Sequence, residues 1–128
     1  VGFGAIAKLS PAFAAAVDSL TSLPGDPLVS ASIAVTLIAG LTGSASGGQA
    51  IALPLLAPHY LGLGVDANAL HRVVAIASGG LDSLPHNAYV VTTIRGVCRE
   101  THKSAYWPMF CMTVLVPLFG LIVALLLL

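Results

Sequence analysis

Two Gly/Ser-rich interruptions inside apolar segments hold most of the residues of this chain that could do chemistry. The first is the string GSASGG at 43–48, and the second is SGGLDSLPHN at 78–87. Glycine lets a ligand approach the backbone closely, and a helix that begins after such a break presents free N–H groups that attract anions. Serine hydroxyls and an amide add neutral hydrogen-bonding groups. The pattern therefore predicts a site for a small carboxylate that bears hydroxyl groups.

The predicted substrate contacts are divided between the two breaks. After the first break, the N–H groups of residues 47–50 are expected to be unpaired, and further N–H groups are expected around Asn87. The full set of predicted contact residues is Ser44, Ser46, Gly47, Gly48, Ser78, Gly79, Gly80, Ser83 and Asn87. For the first break an alternative stays open, in which the small residues only allow two helices to pack closely.

Asp82 and His86 are the only ionisable residues within the second break, and they are the candidates for carrying a coupled proton. Ionisable groups at membrane depth are costly and usually functional, and histidine titrates near neutral pH. The alternative is structural: Asp82 caps the following half-helix, and His86 forms a hydrogen bond that holds the break open. Proton coupling is expected to use at least one of the two.

Other chemistry has little support in the sequence. The four histidines lack the spacing of a metal site, so no metal is predicted. No cofactor and no catalytic residue are predicted either. An intramembrane serine protease needs a nucleophile and a base within hydrogen-bonding reach, and the nearest match is Ser46 with His86 on a later helix. Because such serine strings are common in small-residue helices, the chain is predicted not to be an enzyme.

Composition predicts a membrane protein. Of 128 residues, 57% are hydrophobic and 8% are charged, against about 25% charged in typical soluble domains. So few charges cannot cover a water-exposed surface, whereas a lipid-facing surface needs none. The formal net charge of zero argues against a nucleic acid partner. Apolar sequence extends from Val1 to Leu128, which predicts a portion of a longer membrane protein.

Four apolar segments predict an all-α integral membrane fold. They are a transmembrane helix at 1–23, a re-entrant helical hairpin at 28–63, a broken (discontinuous) transmembrane helix at 67–98 and a final transmembrane helix at 105–128. Each hairpin arm has about 15 residues, or roughly 22 Å, which is too short to cross a hydrocarbon core of about 30 Å. The alternative is a pair of short, tilted spanning helices joined by an ordinary loop.

The broken helix carries start and stop signals of its own. Asp66 is expected to cap its first half, which would stop at the glycine pair 79–80. Ser83 is expected to cap the second half, with Pro85 tolerated in its first turn. The charge cluster RGVCRETHK at 95–103 is predicted to be cytoplasmic by the positive-inside rule.

With these motifs the chain resembles the C-terminal portion of the gluconate permease family, whose members are bacterial proton symporters for gluconate and related hydroxy acids. The resemblance rests on GSASGG at 43–48, LHRVVAIASGGLDSLPHN at 70–87 and THKSAY at 101–106. One departure is the pair Ala88 and Tyr89 after Pro-His-Asn, where a glycine is expected from the family.

The resemblance implies a multi-pass protein of the bacterial cytoplasmic (inner) membrane with an inverted-repeat ion-transporter fold. It also implies proton-coupled symport of a small hydroxy-carboxylate such as gluconate, by alternating access around the two breaks. The expected partners are the organic anion, the proton, the lipid bilayer and the missing N-terminal portion of the same permease. A short hydroxy acid such as 3-hydroxybutyrate is the alternative substrate. A structural membrane segment without transport activity is the alternative from another class.

Overall fold

The computed structural model describes residues 9–22 and 24–128, and within them the chain forms helices and no strands. Two short π-helical segments continue the α-helices: Thr92–Val97 follows directly after Val91, and Cys111–Leu115 lies between Phe110 and Val116. The predicted all-α class is therefore confirmed for the described residues. The helices are α1 (Pro11–Thr21), α2 (Pro27–Thr42), α3 (Ala45–Gly62), α4 (Ala67–Ser78), α5 (Ala88–Val91), α6 (His102–Phe110) and α7 (Val116–Leu127).

The first predicted transmembrane helix, at 1–23, lies partly outside the described residues. Its described part is α1, which has Ser10 as its N-cap and Pro11 at its first position. Proline is favoured there because the N–H group it lacks would have no partner inside the helix. The spanning character of this segment stays a prediction.

The end of the chain forms one continuous helix, His102–Leu127, of 26 residues. It is long and apolar enough to cross a membrane, and most of its surface is exposed rather than packed within the chain. It begins before the predicted position at 105 because Thr101 and Ser104 form a capping box there. This helix supports the membrane class that composition predicts.

Helices α2 and α3 form a hairpin whose turn consists of Gly43 and Ser44. Gly43 ends α2 in the left-handed conformation, with a φ of 59°, and Ser44 caps α3. The helices run antiparallel: Gly48 packs on Ala39 near the turn, whereas α2 and α3 are joined by a side-chain hydrogen bond at the opposite end. The helical hairpin is thus formed, and its re-entrant path through the bilayer stays a prediction.

The apolar core lies where α2, α3 and α4 meet, and α7 packs against it from the side of α4. Small residues on α2 and α4 let the helices approach closely, which is typical of membrane helix pairs. The buried core residues are Ala31, Ala34, Val35 and Ile38 of α2, Ile51, Ala52, Leu56 and Tyr60 of α3, Leu70, Val73, Val74 and Ala77 of α4, and Leu121 of α7.

The broken helix is interrupted over residues 79–87. Its first half, α4, has the predicted N-cap, since Asp66 Oδ2 accepts from the N–H of Ala69 at 2.8 Å. Helix α4 ends at Ser78, and Gly79 is its C-cap, as the glycine pair predicts.

The second half of the broken helix begins later than predicted. It starts at Ala88 and is capped by Asn87, so the prediction that Ser83 is the N-cap is wrong. The Ser83 hydroxyl instead donates to Asp82 Oδ1 at 2.9 Å, and Pro85 lies in a turn rather than in a helix. Asparagine and serine are equally good caps, and contacts with other helices decide between them here.

Tyr60 and Ser30 form a buried hydrogen bond at the open end of the hairpin, with 2.8 Å between their oxygen atoms. Ser30 donates its own hydrogen to the carbonyl of Leu20 at 3.1 Å, so Tyr60 is the donor in the pair. We expect Ser30→Ala to cost about 1–3 kcal/mol and Tyr60→Phe only about 1 kcal/mol, because the first change leaves a buried O–H unpaired. Thermal unfolding of the full-length protein in detergent measures both, with Tyr89→Phe at an exposed tyrosine as the control. Equal losses would contradict the donor assignment.

Candidate functional site

The two breaks are in contact, although their bonded residues are 44 positions apart. Asn87 Nδ2 donates to the carbonyl oxygen of Gly43 at 2.8 Å. The ring of His86 packs against the same turn, since a Cβ added at Gly43 would lie 3.1 Å from His86 Nε2. One turn earlier, a Cβ added at Gly40 would lie 3.0 Å from the Cβ of Leu81. The fold therefore joins the neutral break and the ionisable break into a single candidate site.

Two further hydrogen bonds connect the hairpin to the end of α4. Gln49 Nε2 donates to Ser78 Oγ at 2.6 Å, and the Thr36 hydroxyl donates to the carbonyl of Ala77 at 2.9 Å. The Ala77 carbonyl also accepts from the N–H of Gly80 at 3.0 Å, so Thr36 bonds to the same carbonyl that closes the C-terminal turn of α4. Sequence analysis included the backbone N–H of Gln49 but missed its side chain, and it missed Thr36 altogether. The amide of Gln49, directly after the first break, was an available signal, whereas nothing local separates Thr36 from the other hydroxyl residues of α2.

The open backbone donors of the first break lie earlier in the chain than predicted. Helix α3 begins at Ala45, so the N–H of Gly47 bonds to Ser44 Oγ at 3.1 Å and that of Gly48 bonds to the Ser44 carbonyl at 2.8 Å. The prediction that these N–H groups are unpaired is therefore wrong, and the two residues that follow lie deeper in the helix. Among the described residues, the first turn leaves the N–H groups of Ala45 and Ser46 as its open donors.

The predicted serine ligands differ in their access. Ser46 is exposed and Ser44 is half-buried at the hairpin turn, with their hydroxyl oxygens 3.4 Å apart. Ser78 and Ser83 are buried, and each donates to an acceptor nearby in the chain. In the described part of the chain no hydrogen bond joins Ser46 to His86, and the Ser46 hydroxyl lies near that of Ser44. In this structure the two serines at the turn are the accessible ones.

The two glycines of the second break differ in their packing, and Gly80 is the one in close contact with other helices. A Cβ at Gly80 would lie 2.8 Å from Leu118 Cδ2 and 3.2 Å from Thr36 Cγ2, so this glycine lets α7 and α2 approach the break. The N–H of Gly79 bonds to the carbonyl of Ile76 at 3.1 Å. Contact of either glycine with a substrate stays a prediction.

Asp82 and His86 lie at the junction in different surroundings. Asp82 is half-buried; its Oδ1 accepts from Ser83, and its carbonyl accepts from Asn87 Nδ2 at 2.6 Å. His86 is exposed, with its ring beside the hairpin turn. Within residues 9–22 and 24–128, no three His, Cys, Asp or Glu side chains lie close enough to hold a metal ion. The arrangement thus places an imidazole ring beside the turn from which α3 begins.

The final helix contacts the second break with two side chains. The Tyr106 hydroxyl donates to the carbonyl of Ser83 at 3.1 Å, and His102 Nε2 lies 3.1 Å from the carbonyl oxygen of Pro85. These bonds pair carbonyl groups that the irregular backbone would leave open, as membrane proteins require. Sequence analysis did not predict them, because nothing local to 101–106 identifies the partner.

Comparison with known proteins supports the class of membrane transporters for this chain. The chain is similar to a transporter, which supports a transport role in a membrane and is consistent with the prediction that it is not an enzyme. That relative is the uncharacterized transporter YxjC of Bacillus subtilis (strain 168), and the two are 38% identical over 118 residues. The alignment covers 89% of this chain and 25% of YxjC, so the chain spans about a quarter of that protein's length. No protein-family model matches the chain, and no solved structure matches it.

Proposed function

We propose that the full-length protein is a secondary active transporter that carries a small hydroxy-carboxylate, such as gluconate, together with protons across the bacterial cytoplasmic membrane. The observation that carries this proposal is the contact between the two breaks, in which Asn87 bonds to Gly43 and His86 lies at the same turn. A helix N-terminus, which attracts anions, is thereby adjacent to an imidazole, a side chain that can bind and release a proton. Similarity to a transporter and the membrane-length final helix support the proposal.

The carboxylate of the substrate binds at the hairpin turn in this proposal. The N–H groups of Ala45 and Ser46 are the open donors there, and the hydroxyls of Ser44 and Ser46 flank them. The macrodipole of α3, a helix of 18 residues, adds favourable potential for an anion at this end. Ser78 and Ser83, which are buried in this structure, meet the substrate only in a state where the second break opens.

His86 is the proposed proton carrier, with Asp82 as its neighbour in the break. A protonated imidazole beside the turn strengthens binding of the carboxylate, and its deprotonation on the opposite side of the membrane weakens that binding. By linkage, binding of the anion strengthens binding of the proton by the same factor. Symport follows if the two ligands bind and leave together.

The rest of the full-length protein forms the opposite wall of the pathway in this proposal. The chain spans 25% of YxjC, and transporters with broken helices place the substrate between two repeats near the bilayer midplane. Alternating access then opens the site around the two breaks to one side at a time.

Uptake by the full-length protein in proteoliposomes with an imposed pH gradient tests the proposal. The wild-type protein is expected to accumulate labelled gluconate, and unlabelled 3-hydroxybutyrate and sugar acids in competition identify the preferred hydroxy acid. The combined variant Asp82→Asn, His86→Ala is expected to lose accumulation above equilibrium, because no group remains in the break to carry the proton.

The matched control is Asp18→Asn, His71→Ala, which makes the same chemical changes at two exposed positions outside the breaks. We expect it to transport like the wild type. Intact gradient-driven accumulation in the Asp82, His86 variant would show that the proton assignment is wrong. Absence of uptake of every hydroxy acid by the wild-type protein would overturn the proposed substrate class.

A further inference from the structure

The side chain of Asn87 has all of its hydrogen-bonding capacity in use within the protein. Its two Nδ2 hydrogens go to the carbonyl oxygens of Gly43, at 2.8 Å, and Asp82, at 2.6 Å. Its Oδ1 accepts from the N–H groups of Tyr89, at 2.6 Å, and Val90, at 3.3 Å. An amide side chain has two donors and two acceptor sites, so nothing is left for a ligand. Asn87 is also buried, with 7% of its surface exposed.

The four partners of Asn87 belong to three separate parts of the fold. They are the hairpin turn, the irregular backbone of the second break and the first turn of α5. An N-cap needs only one accepting side-chain oxygen, which serine or aspartate also supplies. The two N–H donors of the Asn87 amide are therefore not needed for capping. They bond the hairpin turn, where the open N–H groups lie, to the second break, where His86 lies.

We propose that Asn87 is a positioning residue rather than a substrate ligand: its amide group fixes the hairpin turn against the second break, so that the anion donors and His86 act on the same substrate. For its effect on transport this inference rests on the proposed function. Its geometric part, that the Asn87 amide holds the two breaks together, can be tested without any transport measurement.

Three substitutions separate the two roles of Asn87, which are to cap α5 and to bond the hairpin turn to the second break. Asn87→Ser and Asn87→Asp keep an N-cap acceptor and lose the two N–H donors, while Asn87→Ala loses both functions. The serine variant removes the N–H donors without adding a charge, and the aspartate variant removes them with almost no change in side-chain size. Asn68→Ser changes an exposed asparagine in the first turn of α4 and is the matched control.

A disulfide between Gly40→Cys and Leu81→Cys reports the separation of the hairpin and the break. A Cβ at Gly40 would lie 3.0 Å from the Cβ of Leu81, slightly closer than the roughly 3.5–4.5 Å of a relaxed disulfide, so a small shift permits the bond. The full-length protein, with its other cysteines replaced by alanine, is oxidised in native membranes. We expect Asn87→Ser and Asn87→Asp to slow bond formation about tenfold, the factor that loss of one to two net hydrogen bonds gives. The Asn68→Ser control should keep the original rate.

Transport kinetics give the second measurement. We expect Asn87→Ser to raise the KM for the hydroxy acid about tenfold with a much smaller change in the maximal rate, because displaced donors weaken anion binding. Unchanged crosslinking rates in Asn87→Ser and Asn87→Asp would overturn the inference, whether or not transport changes. If the wild-type protein takes up no hydroxy acid but the crosslinking difference is present, the proposed function fails and the positioning role of Asn87 stands.

Discussion

Alanine in place of Gly48 is expected to destabilise the hairpin by about 1–3 kcal/mol, the usual cost of an extra methyl group in a closely packed core. A Cβ at Gly48 would lie 2.7 Å from the Cα, 2.9 Å from the Cβ and 3.0 Å from the N of Ala39. Two of these are backbone atoms of α2, which cannot turn away as a flexible side chain would. Helices α2 and α3 must therefore separate, and the hairpin turn moves with them.

A second glycine in the same helix provides the control for this experiment. Gly62 lies at the end of α3, and a Cβ there would meet nothing within 4 Å. Because alanine favours helix over glycine by up to about 1 kcal/mol, Gly62→Ala is expected to be neutral or slightly stabilising. Thermal unfolding of the full-length protein in detergent compares the two variants. A Gly48→Ala protein as stable as Gly62→Ala would contradict the close approach of the hairpin helices.

Alanine in place of Gly43 is expected to reduce both stability and uptake, for two separable reasons. The φ of 59° is left-handed, a conformation that costs a residue with a Cβ roughly 1–2 kcal/mol. The added Cβ would also lie 3.0 Å from Cδ2 and 3.1 Å from Nε2 of His86, so the ring must shift away from the turn. In the proposed mechanism this shift separates the proton carrier from the anion donors.

Gly64→Ala isolates the backbone contribution. Gly64 also has a positive φ, 85°, and a Cβ there would meet nothing within 4 Å. We expect Gly64→Ala to lose stability through backbone strain alone and to keep normal uptake. Gly43→Ala should lose more stability than Gly64→Ala and should lose uptake as well.

The double variant Gly43→Ala, His86→Ala distinguishes the clash from other effects of the turn. Removal of the ring should restore the part of the stability that the clash removed, while accumulation driven by the pH gradient stays lost. This split between unfolding temperature and uptake is expected only if His86 lies against Gly43 and also takes part in transport. Strictly additive losses of stability would show that the two residues are not in contact.

Several elements could be predicted because their signals are local. Asp66 caps α4 and the glycine pair 79–80 ends it, since a cap and a stop act within one helical turn. The hairpin turn falls within the predicted break 43–48, and its position at Gly43 reflects the ease with which glycine adopts the left-handed conformation. The membrane class follows from composition, which needs no knowledge of the fold.

The errors fall where a distant partner decides between two local possibilities. Ser83 and Asn87 are both good caps, but only Asn87 has the two N–H donors that bond to the carbonyls of Gly43 and Asp82. The carbonyl of Ser83 bonds instead to Tyr106, on the final helix. The early start of α3 is the exception, because Ser44 is a local cap that starts the helix at Ala45 and moves its open donors toward the turn.

The sequence by itself determined that this chain is helical, suited to a membrane and interrupted at two polar breaks, because each property depends on composition or on neighbouring residues. Only the tertiary structure decided that the breaks meet, that His86 lies at Gly43 and that Asn87 joins them. These contacts connect residues more than 40 positions apart. Their partners are set by the packing of α2, α3 and α4 into one core, which no short stretch of sequence specifies.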